Sequence, residues 1–434
     1  MTSLPALDPQ PAADRPLVVR TAALDMSAAI GDGALHTLLP DLPPTHVQSW
    51  VRRGEGLIGW GRAAVATAHG PERFDVLDRW WQETATTAVV RDEVGQPGTG
   101  PVAFGSIAYA ASSPAGATLI VPEVIIGVRG DVAWLTTVAR GDAVPNPLTP
   151  APGPAARAPQ AVTYADDALS SAQWAARVSE AVQRIGRGEL DKVVLARDLD
   201  AQADEPVDPR WLLTRLAERY ANTWVFCVDG LIGATPELLV RRDQGLVTSR
   251  VLAGTIRRTG NDEQDLALSG SLARSSKDLE EHEYAVRSVA DALAPHCSSM
   301  NVPEAPFVLH LPNVMHLATD VAGVLTDGTS ALALAASLHP SAAVCGTPKA
   351  VADALIAQLE NMDRGRYAGP VGWMDANGDG EWGIALRCAA YDRADQRRLR
   401  LFAGCGIVAG SDPAAEVAES DAKLVPMRDA LSGS

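Results

Sequence analysis

The sequence has few cysteines, and they are not arranged as a recognisable site. The five thiols are Cys227, Cys297, Cys345, Cys388 and Cys405. Their number is odd and no two of them form a C-x-x-C pair, so neither a disulfide framework nor a zinc site is predicted. This pattern is typical of a protein from a reducing compartment.

A long apolar run is also missing. The longest stretch of small and apolar residues, 330–344, is interrupted by His339 and Pro340 and is too short to cross a bilayer. The first residues, Met1–Pro9, have no basic region followed by an apolar one, as a secretory signal would. We therefore predict a cytoplasmic protein without a membrane partner.

The sequence lacks a basic surplus. Its formal net charge is −16 and its pI is near 4.9, which argues against nucleic acid as a partner, because that would require clustered Lys and Arg. Hydrophobic residues make up 47% and charged residues 21%, a composition typical of a globular protein with a substantial core. An anionic ligand would have to be held by local cations.

Prolines are unusually dense in one segment of the chain. Six prolines occur between positions 145 and 159, a density that neither a helix interior nor a central strand accepts. We predict a linker or loop over 141–172. It separates a sheet-rich portion, 1–140, from a second portion, 173–434, of one large fold or two intimate domains.

The remaining patterns indicate an α+β chain of antiparallel hairpins covered by helices. Two hairpins are predicted, one between strands 119–127 and 131–138 and one around Asp229-Gly230, a dipeptide that favours a tight turn. Helices are predicted at about 174–185, 262–293 and 331–338. Further strands are predicted at 369–374, 382–390 and 399–408.

Lys192 is the most informative residue, because it lies at the mouth of an apolar strand directly after a helix bounded by Gly186 and Gly188. An amine that is dehydrated against apolar surface has its charged form disfavoured and can accept a proton from water. Further along, Pro236 cannot donate to a strand ladder, so Glu237 is expected at a bulge or sheet edge facing a cleft.

Two acidic helical segments are open to two interpretations. After Asp412 and Pro413, a good N-cap and first helical residue, Glu416, Glu419 and Lys423 fall on one helical face. A second acidic cluster is Lys277–Glu283. Each could be an ordinary solvated face, or the two could jointly hold a hard cation such as Mg²⁺.

Three other patterns have ordinary explanations. The run Gly404–Gly410 has the wrong spacing for a dinucleotide site. Asp375–Gly380 opens like a calcium loop but has Leu386 where a bidentate Glu is required, so a hairpin turn is predicted. His316 and His339, alone in apolar surroundings, are by default core histidines.

Read in order, these segments resemble the chorismate-utilising enzymes and, among them, the isochorismate synthases. The matching stretches are Asp191–Arg197, Gly233–Leu239, Leu252–Thr255, Lys277–Glu283, His316–Thr319, Leu338–Pro340, Cys345–Pro348, Gly380–Ala389, Leu401–Val408 and the positions Glu416, Glu419 and Lys423. The resemblance is nearly continuous from Trp174 to Met427 and is looser over the first 140 residues.

The resemblance implies an anthranilate-synthase-like fold of two large, mostly antiparallel sheets packed together and flanked by helices, with chorismate and Mg²⁺ in a cleft. It implies that Lys192 is the base that activates water and that Glu237 is the acid that protonates the departing hydroxyl. Metal would be held by Glu281, Glu416 and Glu419. Substrate would be bound by Gly254, Thr255, His316, Tyr367, Arg387, Gly404 and Lys423.

The residues at positions 192 and 253 distinguish between the branches of this family. The enzymes that use ammonia resemble this chain but typically carry Gln where Lys192 stands, and the aminodeoxychorismate enzymes usually carry Lys in place of Ala253. We therefore predict water as the nucleophile, no amidotransferase subunit and a monomer. Salicylate synthases, which go on to salicylate and pyruvate, remain an alternative, as does a silent paralogue that only binds chorismate. Menaquinone and siderophore synthesis both remain open.

Overall fold

The structure is a computed structural model that describes residues 15–26, 34–141, 143–145 and 148–433. The predictions for Met1–Pro9 and Pro147 fall outside these residues. No helix among the described residues is both long and apolar enough to cross a membrane.

The described residues form 23 strands. In chain order these are β1 Leu17–Ala23, β2 Val47–Arg52, β3 Glu55–Trp60, β4 Ala64–Ala68, β5 Val89–Asp92, β6 Val102–Ile107, β7 Ala117–Val121, β8 Val124–Arg129, β9 Val132–Arg140, β10 Thr163–Asp166, β11 Lys192–Gln202, β12 Trp224–Val228, β13 Leu231–Thr235, β14 Leu238–Asp243, β15 Leu246–Arg257, β16 Cys297–Asn301, β17 Phe307–His310, β18 Val314–Leu325, β19 Gly346–Thr347, β20 Pro370–Asp375, β21 Gly380–Ile384, β22 Cys388–Tyr391 and β23 Arg398–Ile407.

Eight α-helices accompany these strands in the described part of the chain. They are α1 Arg73–Thr87, α2 Ser171–Gly186, α3 Pro209–Arg219, α4 Asp262–Leu272, α5 Ser276–Leu293, α6 Ala331–Leu338, α7 Lys349–Leu359 and α8 Pro413–Leu431. The single helix predicted over 262–293 is wrong in one respect: it is two helices, because the Ser275 side chain accepts a hydrogen bond from the Asp278 N–H and caps a new helix start.

The strands form two large sheets. The first has 13 strands in the order β10-β11-β23-β22-β13-β12-β2-β3-β8-β9-β1-β5, with β19 also on β11. The second has 10, in the order β16-β18-β15-β14-β21-β20-β6-β7-β4, with β17 also on β18. Pairing is antiparallel except between β1 and β5. Strands from before and after the Pro-rich segment lie side by side, as β2 does with β12.

Apolar side chains from the two sheets meet in one buried cluster. Trp50 and Phe226 of the first sheet belong to it together with Phe104 and Trp382 of the second. Contact is close enough that a Cβ at Gly383 would lie 2.8 Å from the Trp50 ring, which explains why only glycine is accommodated there. This is the predicted α+β architecture of two packed sheets flanked by helices.

The predicted turns are present where the sequence marked them. Strands β12 and β13 pair across Asp229-Gly230, and both turn residues have positive φ, 50° and 81°, as a type I′ turn requires. Strands β20 and β21 pair across the Asp375–Gly380 segment, so the hairpin interpretation is confirmed. The β8–β9 hairpin is also present.

Two predicted strands and the predicted position of Glu237 are wrong because the chain passes from one sheet to the other at these points. The run 119–127 divides at Pro122-Glu123, and the run 382–390 divides after Ile384. Likewise β13 ends at Thr235 in the first sheet and β14 begins at Leu238 in the second, so Glu237 lies at a crossing rather than at a bulge or edge. Two of these crossings deliver Glu237 and Arg387 into the space between the sheets.

Candidate active site

Eleven of the twelve residues predicted for the site line one cavity. They are Glu237, Gly254, Thr255, Glu281, His316, Tyr367, Arg387, Gly404, Glu416, Glu419 and Lys423. The twelfth, Lys192, lies behind Gly406, another lining residue, where an added Cβ would come within 3.1 Å of the Lys192 Cε and would overlap the Glu281 carboxylate. The glycine therefore keeps the space in front of the amine open.

Lys192 is the first residue of β11, and its side chain is 1% exposed. Its Nζ lies 3.0 Å from Glu281 Oε1, within ion-pair distance. No well-directed hydrogen bond from this Nζ to an acceptor is found among the described residues. A buried amine with unused donor capacity is costly unless a ligand or solvent completes its contacts.

Glu237 is held by its backbone at the crossing between sheets. Its N–H donates to Thr235 Oγ1 at 3.3 Å, and its carbonyl accepts from the Ile384 N–H at 3.2 Å. Burial raises the pKa of this carboxyl to about 8, against the opposing influence of Lys192, the Leu252 backbone and more distant cations. The side chain is therefore protonated at neutral pH, as a proton donor must be.

Arg387 and His316 form a buried pair in the cavity wall. The Arg387 Nη2 lies 3.0 Å from His316 Nε2. Since a guanidinium can only donate, Nε2 is the acceptor and the proton of the ring lies on Nδ1, which is 3.1 Å from Thr255 Oγ1. Burial and the nearby Arg387 and Lys423 charges hold the pKa of His316 well below its usual range. Arg387 Nη1 has no partner among the described residues, which leaves a cationic donor available to an anion.

The side chain of Lys423 connects helix α8 to strand β23 through a hydrogen bond. Its Nζ donates to the Gly404 carbonyl at 2.9 Å and pairs with Glu419 Oε1 at 2.6 Å. Burial alone would lower the pKa of this amine, but the neighbouring Glu419 carboxylate raises that pKa above its usual value. Lys423 is therefore a fixed positive charge in the cavity.

The acidic residues of α8 are not a solvated face. Asp412 caps the helix by accepting from the Ala415 N–H at 2.9 Å, and this start turns Glu416 and Glu419 toward the cavity. Glu416 is 5% exposed. Ligand atoms of Glu416, Glu419 and Cys405 lie within 4.8 Å of one another. Glu281 reaches the same cavity from α5.

Several lining residues were not anticipated from the sequence. Arg364 and Asp278 line the cavity, and Cys405 lies beside the two α8 carboxylates. Burial raises the pKa of the Cys405 thiol well above its usual value, so the thiol is neutral. The alternation of Gly404 and Gly406 within a strand was the one usable signal, because strand glycines mark close approach of a ligand or another chain segment.

His339, by contrast, is the core histidine that was predicted. It is buried, its Nε2 lies 2.9 Å from the Tyr109 carbonyl, and its ring packs on Phe74 and Tyr109. Burial lowers its pKa to about 3. It lies outside the cavity lining.

Comparison with known proteins identifies the family of this chain. The family model described as chorismate binding enzyme matches residues 47–432. Isochorismate synthase MenF of Bacillus subtilis is 31% identical over 405 residues, covering 87% of this chain and 85% of the relative. The salicylate biosynthesis isochorismate synthase of Pseudomonas aeruginosa is 34% identical over 409 residues, covering 88% and 84%.

Solved structures share the fold. DhbC from Bacillus anthracis superposes with a TM-score of 0.75 at 32% identity, covering 92% of this chain and 99% of that one. Anthranilate synthase component I from Streptococcus pneumoniae superposes with a TM-score of 0.61 at 18% identity, covering 98% and 95%, which shows the fold alone. The predicted anthranilate-synthase-like architecture is confirmed.

The chain belongs to the chorismate-binding enzyme family. Within that family, the relatives named above that are at least 30% identical are isochorismate synthases, so the resemblance drawn from the sequence is confirmed.

Proposed function

We propose that this protein is a Mg²⁺-dependent isochorismate synthase, in which Lys192 is the general base and Glu237 the general acid. The observation that carries the proposal is the state of these two buried residues. One is an amine with unused hydrogen-bonding capacity, and the other is a carboxyl whose pKa is raised to about 8 by burial. A protein that only binds its ligand has no need of such a pair.

The chemistry balances with one proton accepted and one donated. A water molecule loses a proton to Lys192 as its oxygen bonds to ring carbon C2. The hydroxyl on C4 departs with the proton that Glu237 donates, and both conjugated ring double bonds shift, C1=C2 to C1=C6 and C5=C6 to C4=C5. Water enters and water leaves, so chorismate and isochorismate are isomers. The two groups are each worth roughly 10²–10⁴ in rate.

Chorismate is a dianion, so its carboxylates need fixed cations. Arg387 offers the free Nη1 and planar geometry that suit a carboxylate. Lys423 supplies a second charge, and we assign the enolpyruvyl carboxylate to Arg387 and Tyr367 near Gly404. The Gly254-Thr255 backbone and His316 complete the substrate contacts, His316 by orienting the guanidinium.

The residues present fit Mg²⁺. Glu281, Glu416 and Glu419 offer carboxylate oxygens, the ligands that Mg²⁺ prefers, whereas the neutral Cys405 thiol is a poor ligand for it. Glu281 and Glu419 each lie within ion-pair distance of a lysine amine, that of Lys192 and that of Lys423 respectively. When bound, the ion would neutralise and orient the ring carboxylate of the substrate.

The direct test is product analysis. We expect purified protein supplied with chorismate and Mg²⁺, without ammonia, to accumulate isochorismate. Isochorismate, salicylate and pyruvate would be separated chromatographically over time. Salicylate and pyruvate formed in step with turnover would assign the protein to the salicylate synthases, and unconsumed chorismate would make it a binding protein.

Metal removal should silence the enzyme reversibly. We expect EDTA to abolish turnover and added Mg²⁺ to restore it. Calorimetric titration gives an independent readout: Mg²⁺ should bind the wild-type protein in the presence of chorismate, and Glu281→Gln should weaken that binding strongly. Glu283→Gln, an exposed glutamate on the same helix, is the matched control. Equal Mg²⁺ binding by both variants would contradict the assigned ligands.

We further propose that the enzyme works without an amidotransferase subunit and as a monomer, with residues 173–434 supplying the catalytic groups and 1–140 completing the sheets. Gel filtration at several concentrations, with turnover measured on each fraction, tests this. Activity found only in an oligomeric fraction would contradict it.

A further inference from the structure

The strand that carries Lys192 has an interrupted edge. Strand β11 pairs with β23 along one side over residues 193–202. On its other side, β19 pairs with Lys192 and Val193, and β10 pairs with residues 199–202. Between these two short strands, no strand of the described chain covers the edge from Val194 to Asp198. An uncovered edge at the centre of a protein leaves backbone groups that must find other partners.

Side chains take the place of the missing strand. The Val194 carbonyl accepts from Arg364 Nη2 at 2.8 Å, and the Ala196 N–H donates to Glu360 Oε1 at 2.7 Å. The Ala196 carbonyl accepts from Trp174 Nε1 at 3.0 Å. Each of these backbone groups is therefore satisfied by a buried side chain rather than by a neighbouring strand.

Glu360 and Arg364 are bound to each other as well. Their side chains are 2% and 3% exposed, and Arg364 Nε donates to Glu360 Oε2 at 2.9 Å. The remaining amino group, Arg364 Nη1, donates to the Val344 carbonyl at 2.8 Å, and the guanidinium lies 4.4 Å from the centre of the Tyr109 ring. Val344 and Arg364 both line the catalytic cavity.

The pair thus holds both segments that flank Lys192. One is β11 itself, which is hydrogen-bonded to the pair at Val194 and Ala196, two and four residues after Lys192. The other is the segment from Val344 to Thr347, whose last residue pairs directly with Lys192. A single guanidinium connects the two, and only its planar fork can reach several acceptors at fixed angles.

We infer that the buried Glu360–Arg364 pair is a positioning device that fixes the Lys192 amine against the substrate ring. The inference deepens the proposed function and rests on it. Neither residue needs to touch the substrate: their contribution is to keep the base within the narrow range of positions that proton transfer requires.

The test compares two conservative substitutions with wild type. Arg364→Lys keeps the charge but loses the fork, so we expect kcat to fall by about 100-fold, the effect of a displacement of about 1 Å, with KM for chorismate unchanged. Glu360→Gln keeps an acceptor for the Ala196 N–H but weakens the ion pair with Arg364. We therefore expect kcat to fall less, by about tenfold. Rates are taken per folded protein, measured by thermal unfolding.

Two controls separate positioning from general stability. Arg184→Lys alters another i,i+4 pair with glutamate, on the surface of α2, and should leave kcat unchanged. Leu216→Val removes a methylene from the fully buried Leu216, which lies in a different core cluster. It should lower the unfolding temperature without lowering kcat per folded protein.

Several outcomes would overturn the inference. Wild-type kcat in both Arg364→Lys and Glu360→Gln would do so. A raised KM with intact kcat would show that Arg364 holds the substrate instead, and an equal loss of kcat in Leu216→Val would show a general effect of stability. If wild-type protein makes no isochorismate at all, it is the proposed function that has failed, and these variants are not needed to see it.

Discussion

Lys192→Gln is expected to reduce the rate of isochorismate formation by about 10²–10⁴-fold, which is the contribution of a general base. Glutamine has nearly the length of lysine but cannot take a proton from water. The change also removes the amine that lies 3.0 Å from Glu281 Oε1. Lys192→Ala lacks the same amine and should be equally inactive. Initial rates with chorismate and Mg²⁺, measured by product chromatography, give the result.

Binding and folding should survive this substitution. Chorismate affinity depends on Arg387 and Lys423, which the change leaves in place, so calorimetric binding should remain. The natural control is Lys349→Gln, because Lys349 also uses its amine within the protein, donating to the His339 carbonyl at 3.2 Å, but lies outside the cavity lining. A Lys192→Gln enzyme with wild-type turnover would eliminate the amine as the base.

The sequence was informative where local chemistry determines local structure. The turn at Asp229-Gly230 demands two residues with positive φ, and few dipeptides accept that conformation. Helix α2 was predicted from its apolar spacing, and its start is fixed by Ser170 and Gln173, which cap each other. Such features depend on residues a few positions apart, so a sequence displays them directly.

The crossings between sheets could not be predicted in the same way. An apolar run on either side of Glu123 or Arg387 has the same appearance whether it continues in one sheet or enters the other, because both interiors are buried. Arg387 has a φ of 50°, a conformation that a bulky residue rarely adopts and that nothing in its sequence neighbourhood signals. The local backbone is set by the packing of both sheets.

The same ambiguity affects charged residues on helices. Glu416 and Glu419 have the spacing of a solvated helical face, whereas Glu360 and Arg364 follow the end of α7 in a segment without regular structure. The first pair faces the catalytic cavity, and the second is almost completely buried beside β11. The spacing of residues in a sequence specifies which of them share one face of a helix, whereas the tertiary fold determines whether that face is exposed to solvent. For this reason only the resemblance to a family identified the first pair, and the second pair was missed.

Glu237→Gln is expected to lose activity as severely as the lysine variant, since an amide cannot protonate the departing hydroxyl. In the wild-type enzyme, kcat/KM should fall as pH rises through about 8, where burial places the pKa of Glu237, because the reactive form is the protonated acid. The decline should be seen with chorismate at saturating Mg²⁺. A rate that stays constant to pH 10 would contradict the assignment of this carboxyl as the acid.

The same substitution should also change how stability depends on pH. Between the ordinary pKa of 4.5 and about 8, the folded protein retains a proton that the unfolded chain has released. The free energy of unfolding therefore falls as pH rises through this window, by up to about 1.4 kcal/mol per pH unit, and the full penalty is present above it. Glutamine does not titrate, so Glu237→Gln should be free of this decline.

Urea unfolding at pH 5, 7 and 9 measures the effect as a difference between the two proteins, which cancels the groups they share. The stability of Glu237→Gln relative to wild type should rise from pH 5 to about pH 8 and level off above it, while Glu55→Gln, the same change at an exposed position, should track wild type. An inactive but more alkali-stable enzyme would show that the carboxyl is kept in its buried site for proton transfer, at a cost to folding. A relative stability independent of pH would mean that Glu237 ionises normally and cannot be the acid.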